Sequence, residues 1–121
     1  MSDEAPAVVG LAAVVVDCSD PPALARWWGR LLGGAVSVDS DGDASLQTGG
    51  GPVIDFLKVP EAKSVKNRVH IDLRTTDVAT ATEQALALGA SRADDVYAGG
   101  SWQVLRDPEG NEFCLLAPRS G

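Results

Sequence analysis

Apolar and polar positions follow two different periods along the chain, and each change of period marks an element. Residues 11–17 form an apolar run that predicts a strand. Asp20-Pro21-Pro22 predicts a helix start, because Asp20 can cap the free amides and prolines are tolerated in a first turn whose N–H groups have no partner. Leu24, Trp27, Trp28, Leu31 and Leu32 recur at helical spacing and make one apolar face, and Gly33-Gly34 stops it. Short strands follow over 35–39, 44–48 and 53–59, separated by Ser40-Asp41-Gly42-Asp43 and by Gly49-Gly50-Gly51-Pro52. After a charged linker the order starts again. A strand over 67–74 is followed by a helix capped by Asp77, with Val78, Ala81, Ala85 and Leu88 on one face and a stop at Gly89-Ala90. Three more strands are expected over 91–97, 101–105 and 111–117.

The recurrence has a measurable offset. A shift of 57 residues carries Asp20 onto Asp77, Leu31 onto Leu88, Asp55 onto Glu112 and Phe56 onto Phe113. The helix stop departs by one, so the repeat is structural and not a literal copy. The predicted fold is therefore α+β: two βαβββ modules in tandem, over 9–60 and 67–118, joined by a linker over 61–66 and preceded by a flexible tail over 1–8. If the mixed sheets of the two modules curl into one cup, Ala13, Asp55, His70 and Glu112 occupy equivalent positions and converge inside it. Three of these four are metal-ligand types.

Through the middle of 67–77, from Arg68 to Arg74, polar and apolar residues alternate strictly. Val69, Ile71 and Leu73 would line one face of the strand, and His70, Asp72 and Arg74 the other. His70 is the only histidine. One imidazole with two carboxylates suits Mn²⁺, Fe²⁺, Ni²⁺, Zn²⁺ or Mg²⁺ and leaves coordination positions open. Against this stands a structural reading in which His70 and Glu112 bond each other, and Asp72 and Arg74 form an internal ion pair. Asp72 and Arg74 are candidates to orient a polar ligand, and Trp102, after a Gly99-Gly100 hinge, is a candidate flat wall.

Composition narrows the partners. A net charge of −7 with ten scattered basic residues argues against nucleic acid or an anionic membrane and leaves a small molecule. Two cysteines, Cys18 and Cys114, without metal or disulfide spacing fit a reducing cytoplasm, and no apolar run is long enough to span a bilayer.

These residues together resemble the glyoxalase, bleomycin-resistance and extradiol dioxygenase superfamily, the vicinal oxygen chelate fold. The resemblance rests on Asp17-Cys-Ser-Asp-Pro running into Trp27-Trp28, on Asn67-Arg-Val-His-Ile-Asp-Leu and on Asp107-Pro-Glu-Gly-Asn-Glu-Phe, and it is strongest for short actinobacterial-type glyoxalase-like domains. It implies one divalent metal held by His70, Glu112 and Asp55, with Glu112 also moving a proton in a lyase, isomerase or oxygenase acting on a small oxygenated molecule. It also implies a homodimer. Ala13 departs from the pattern, since many enzymatic relatives carry a ligand there. The alternative is thus a metal-free protein that binds a drug or metabolite in an apolar cup with a few polar anchors.

Overall fold

The computed structural model describes residues 7–97 and 101–119. Its elements run β1 (Ala13–Cys18), α1 (Pro21–Leu32), β2 (Ala35–Val38), β3 (Ala44–Gln47) and β4 (Val53–Lys58), then β5 (Ile71–Arg74), α2 (Val78–Ala87), β6 (Ser91–Arg92), β7 (Trp102–Arg106) and β8 (Glu112–Leu116). The strand order is β1-β4-β3-β2 in one sheet and β5-β8-β7-β6 in the other. In each, the first and last strands of a module pair in parallel, and the rest are antiparallel. The two modules are repeats in topology as well as in sequence.

Both helices start where the sequence places them, for the expected reason. Asp20 accepts from the Ala23 amide at 3.2 Å, and Asp77 accepts from the Thr80 amide at 2.9 Å, satisfying donors that a first turn leaves free. Gly34 follows α1 with a positive φ of 105°, and a Cβ there would lie 2.1 Å from the Gln47 carbonyl oxygen. Only glycine lets the chain turn that close to β3.

The main core among the described residues spans the two modules. Trp27 and Trp28 of α1 pack edge-on against Phe113 of β8, with ring centroids 5.8 and 4.9 Å apart. Each buried aromatic removes roughly 200 Å² from water, on the order of 5 kcal/mol as an upper estimate. Polar contacts then fix the angle between the modules. The indole N–H of Trp28 donates to Asp107 at 3.0 Å, and that of Trp27 donates to the Leu88 carbonyl at 2.8 Å. Glu109 accepts from the backbone amides of Ser19 and Asp20 at 2.7 and 3.0 Å. The turn closing module two is thereby tied to the helix start of module one.

Two strands are much shorter than the sequence suggests, while the others differ by a residue or two at their ends. β5 begins at Ile71 and not at 67, so His70 and Val69 lie outside the ladder, and Val69 is 76% exposed. Asn67 gives its backbone N–H to the Glu112 side chain, which removes it from strand pairing. β6 ends at Arg92, because Ala93 starts a turn in which its carbonyl accepts from Val96 and Tyr97.

Candidate functional site

The segment from 59 to 70 carries no helix or strand, yet it forms most of one wall of a cavity of about 590 Å³. The opposite walls come from β1, from Trp28 and from the 107–112 turn. This strap also borders a second cavity of about 590 Å³, lined on its far side by Asp95, Val96 and Arg106. Lys63, Lys66 and Glu112 line both.

Glu112 is the organising residue. It opens β8, where Phe113 and Leu115 turn into the main core while Cys114 joins Ala93 and Val104 in a smaller cluster on the other face. Its carboxylate is only 2% exposed. A buried carboxylate needs partners, and the fold supplies three. Lys63 Nζ donates to Oε2 at 3.1 Å, the Asn67 amide donates to Oε1 at 2.9 Å, and Arg106 Nε approaches Oε2 at 3.4 Å. Arg106 is there because β7 and β8 pair it directly with Glu112. Its outer nitrogens are held by Asp95 at 2.8 and 2.7 Å. Burial pushes the Glu112 carboxyl up, but the Asn67 amide and the Lys63 ammonium outweigh it and hold the group below its ordinary value.

The other expected site residues go elsewhere. Asp55 lies on β4 in the first sheet, half-buried, where it accepts from the Ser45 hydroxyl. His70 is exposed, with Nε2 at 2.7 Å from Lys66 Nζ. Asp72 is exposed beside Cys114, whose thiol is pushed up by burial and by that carboxylate. Arg74 donates to the Ala117 carbonyl. Trp102 is 40% exposed and stacks on Tyr97 at 4.6 Å. None of these five lines the first cavity, and Gly99 and Gly100 fall outside the described residues.

The fit to a divalent metal follows from this geometry. Among the described residues no three His, Cys, Asp or Glu side chains come together as a ligand set. The carboxylate that would anchor an ion is already countered by an ammonium and a guanidinium. A divalent ion about 4 Å from the Lys63 charge would meet a repulsion of roughly 8 kcal/mol at an effective dielectric of about 20, which offsets much of its attraction to the single Glu112 carboxylate. The residues present do not fit a metal in this arrangement.

Sequence reasoning missed Lys63, Lys66, Asn67 and Asn111. One signal was available: Lys63-Ser-Val-Lys-Asn-Arg places three cations and no acid in six residues of an acidic chain. Glu109 and Asp107 also line the cavity, but their oxygens are used within the fold. Asp107 accepts from Trp28, from the Glu109 amide at 2.9 Å and from the Asn111 amide at 3.0 Å. Cys18, a third acid-flanked wall residue, has its thiol pushed up to about 12 by burial and by the nearby Glu109 and Asp107 charges.

Comparison with known proteins matches residues 13–116 to the glyoxalase-like domain family. No curated protein matches the chain. Among solved structures, a glyoxalase/bleomycin resistance protein/dioxygenase family enzyme from Burkholderia phytofirmans PsJN is 20% identical over 89% of this chain and 98% of its own, with a TM-score of 0.72. A mutant of the fosfomycin resistance protein FosX from Listeria monocytogenes, complexed with Mn(II) and 1S,2S-dihydroxypropylphosphonic acid, is 16% identical over 93% and 92%, also at 0.72. Protein ATC0852 from Agrobacterium tumefaciens is 14% identical over 93% and 100%, at 0.74. At these identities the likeness is one of fold.

Proposed function

The chain belongs to the glyoxalase-like domain family, and on that premise we propose that it binds a small oxygenated molecule, without a metal, in the cavity between β1, the strap and the 107–112 turn. The observation that carries this reading is the Glu112 carboxylate, buried on the cavity wall with its charge already balanced by Lys63 and Arg106. The remaining wall is of the kind small-molecule sites use, apolar with a few fixed polar groups. Val14, Val16 and Ile71 supply apolar surface, and Asn67 supplies an amide oxygen as acceptor, held in place as its NH₂ donates to Asn111, which Asp107 fixes in turn.

Thermal shift against a library of small oxygenated compounds, with and without chelator, tests the reading. Stabilisation that a chelator leaves unchanged is expected. Strict dependence on added metal would overturn it. The FosX neighbour complexed with Mn(II) favours a second reading, a metal-dependent lyase, isomerase or oxygenase in which Glu112 moves a proton. That reading requires His70 and Asp55 to be brought to Glu112. Near-stoichiometric metal in the purified protein, lost in His70→Ala, would put it first.

No helix among the described residues is long and apolar enough to cross a membrane, and two buried free cysteines suit a reducing cytoplasm. The chain is proposed to pair as a homodimer, because Val15 and Leu57 leave apolar surface of the first sheet 51% and 38% exposed. Light scattering after size exclusion measures that state directly, and a monomer at micromolar concentration would refute it.

A further inference from the structure

We propose that Lys63 supplies, from within the chain, the cation that this cavity presents to its ligand, and that the ligand meets it through a negatively charged oxygen such as a carboxylate. The inference rests on the small-molecule reading above and adds to it a residue and a charge.

An ammonium has three N–H groups and no acceptor. Lys63 gives one to Glu112 Oε2 at 3.1 Å and one to the Val65 carbonyl at 2.6 Å. The third has no acceptor among the described residues, and Lys63 lines both cavities with its side chain 18% exposed. A half-sheltered, charged donor left over on a cavity wall is matched by an anionic oxygen, because charge-assisted hydrogen bonds are about twice as strong as neutral ones.

The surrounding charges agree with this. Five acids line the cavity: Glu112, Asp107 and Glu109 are engaged by the groups described above, while Asp17 and Glu61 are exposed at its edge and form no salt bridge among the described residues. Lys66 and Arg68 also line the cavity, and among the described residues neither forms a salt bridge. Within the strap these cations face one acid, Glu61, so the strap by itself is net positive although the chain as a whole carries −7.

The ammonium also occupies the flank of Glu112 that a divalent ion would need. Its anchoring is strong for a lysine. Lys63 is held at both ends of a short loop, by Val65 in the strap and by Glu112 on β8, so it is preorganised and loses little freedom when a ligand arrives. Serine or threonine at this position could offer a hydroxyl but no charge, and arginine could not place a compact charge between Val65 and Glu112.

The test uses the full-length protein, ¹⁵N-labelled, with two probes of the same size, one an anion and the other a neutral amide. Glycolate and glycolamide are each titrated into wild type, Lys63→Met and Lys63→Gln, and the amide shifts of residues 63–69 and 107–113 are followed. In wild type, glycolate is expected to perturb these amides at about tenfold lower concentration than glycolamide, and both variants should remove that difference. Glycolamide binding as well as glycolate in wild type, or glycolate keeping its advantage in both variants, would overturn the role of Lys63 while leaving the cavity reading intact. No response to either probe would count against the cavity reading, and a second titration then still decides the role of Lys63. Mn²⁺ should leave the Asn67 and Phe113 amides sharp in wild type and broaden them in Lys63→Met, an effect lost in Lys63→Met/Glu112→Gln. Equal broadening with and without Lys63, or none in either, would show that the lysine holds no cation position.

Discussion

Glu112→Gln is the substitution whose outcome the geometry fixes most closely. The side chain keeps its size, so no cavity forms, and the whole effect lies in charge and hydrogen bonding. A carboxylate accepts at both oxygens, and here both are used: Oε1 takes the Asn67 N–H and Oε2 takes Lys63 and Arg106. A glutamine has one carbonyl and one NH₂. If the carbonyl faces Asn67, the NH₂ points at two cations. If it faces Lys63, the NH₂ meets the Asn67 amide donor to donor. Either orientation loses one charge-assisted hydrogen bond and leaves a buried donor opposed, together about 3 kcal/mol. With a urea m-value of roughly 2 kcal/mol per molar, the midpoint should fall by about 1.5 M. Tryptophan fluorescence reports it, since Trp27 and Trp28 lie in the core against Phe113. The dependence on pH is the sharper part. The folded-state value of Glu112 lies below its unfolded value, so its contribution is complete above the unfolded value and is lost as pH falls through the folded one. The gap between wild type and variant should be full above about pH 5.5 and shrink steadily below about pH 4. A gap of the same size at pH 3.5 and pH 7 would refute the assignment of this stabilisation to the ionised carboxylate.

Three other outcomes follow from buried groups. Trp28→Phe removes the donor to Asp107 and part of an indole that is 2% exposed, and urea unfolding should show a loss of about 2–4 kcal/mol. Thr82 in α2 buries a hydroxyl with no hydrogen-bond partner among the described residues, so Thr82→Val, the same shape without the hydroxyl, should stabilise by about 0.5–1 kcal/mol in the same assay. With its thiol pushed up to about 12 and 3% exposed, Cys18 should resist a maleimide or disulfide reagent at pH 8 in the native protein and react at once in urea. Rapid native labelling of Cys18 would contradict the burial.

Local chemistry and periodicity were enough to specify the elements of this chain. Asp20 and Asp77 cap helices because their carboxylates reach amides three residues on, and the apolar spacing from Leu24 to Leu32 has meaning only on a helix. The 57-residue offset carried the topology, since two like sequences form like modules, and it places Glu112 at the start of a last strand. The site depended on information that no local pattern holds. His70 is one residue short of β5 because Asn67 is drawn out of the ladder by a side chain 45 positions away. Asp55 and Glu112 are equivalent in sequence, yet one faces a serine in its own sheet and the other faces a lysine from the linker. Equivalent positions in a repeat share a backbone, but not the segment that crosses in front of them. The strap bonds to Glu112 of module two and not to Asp55 of module one, and only the folded chain decides which carboxylate it covers and which cation it brings.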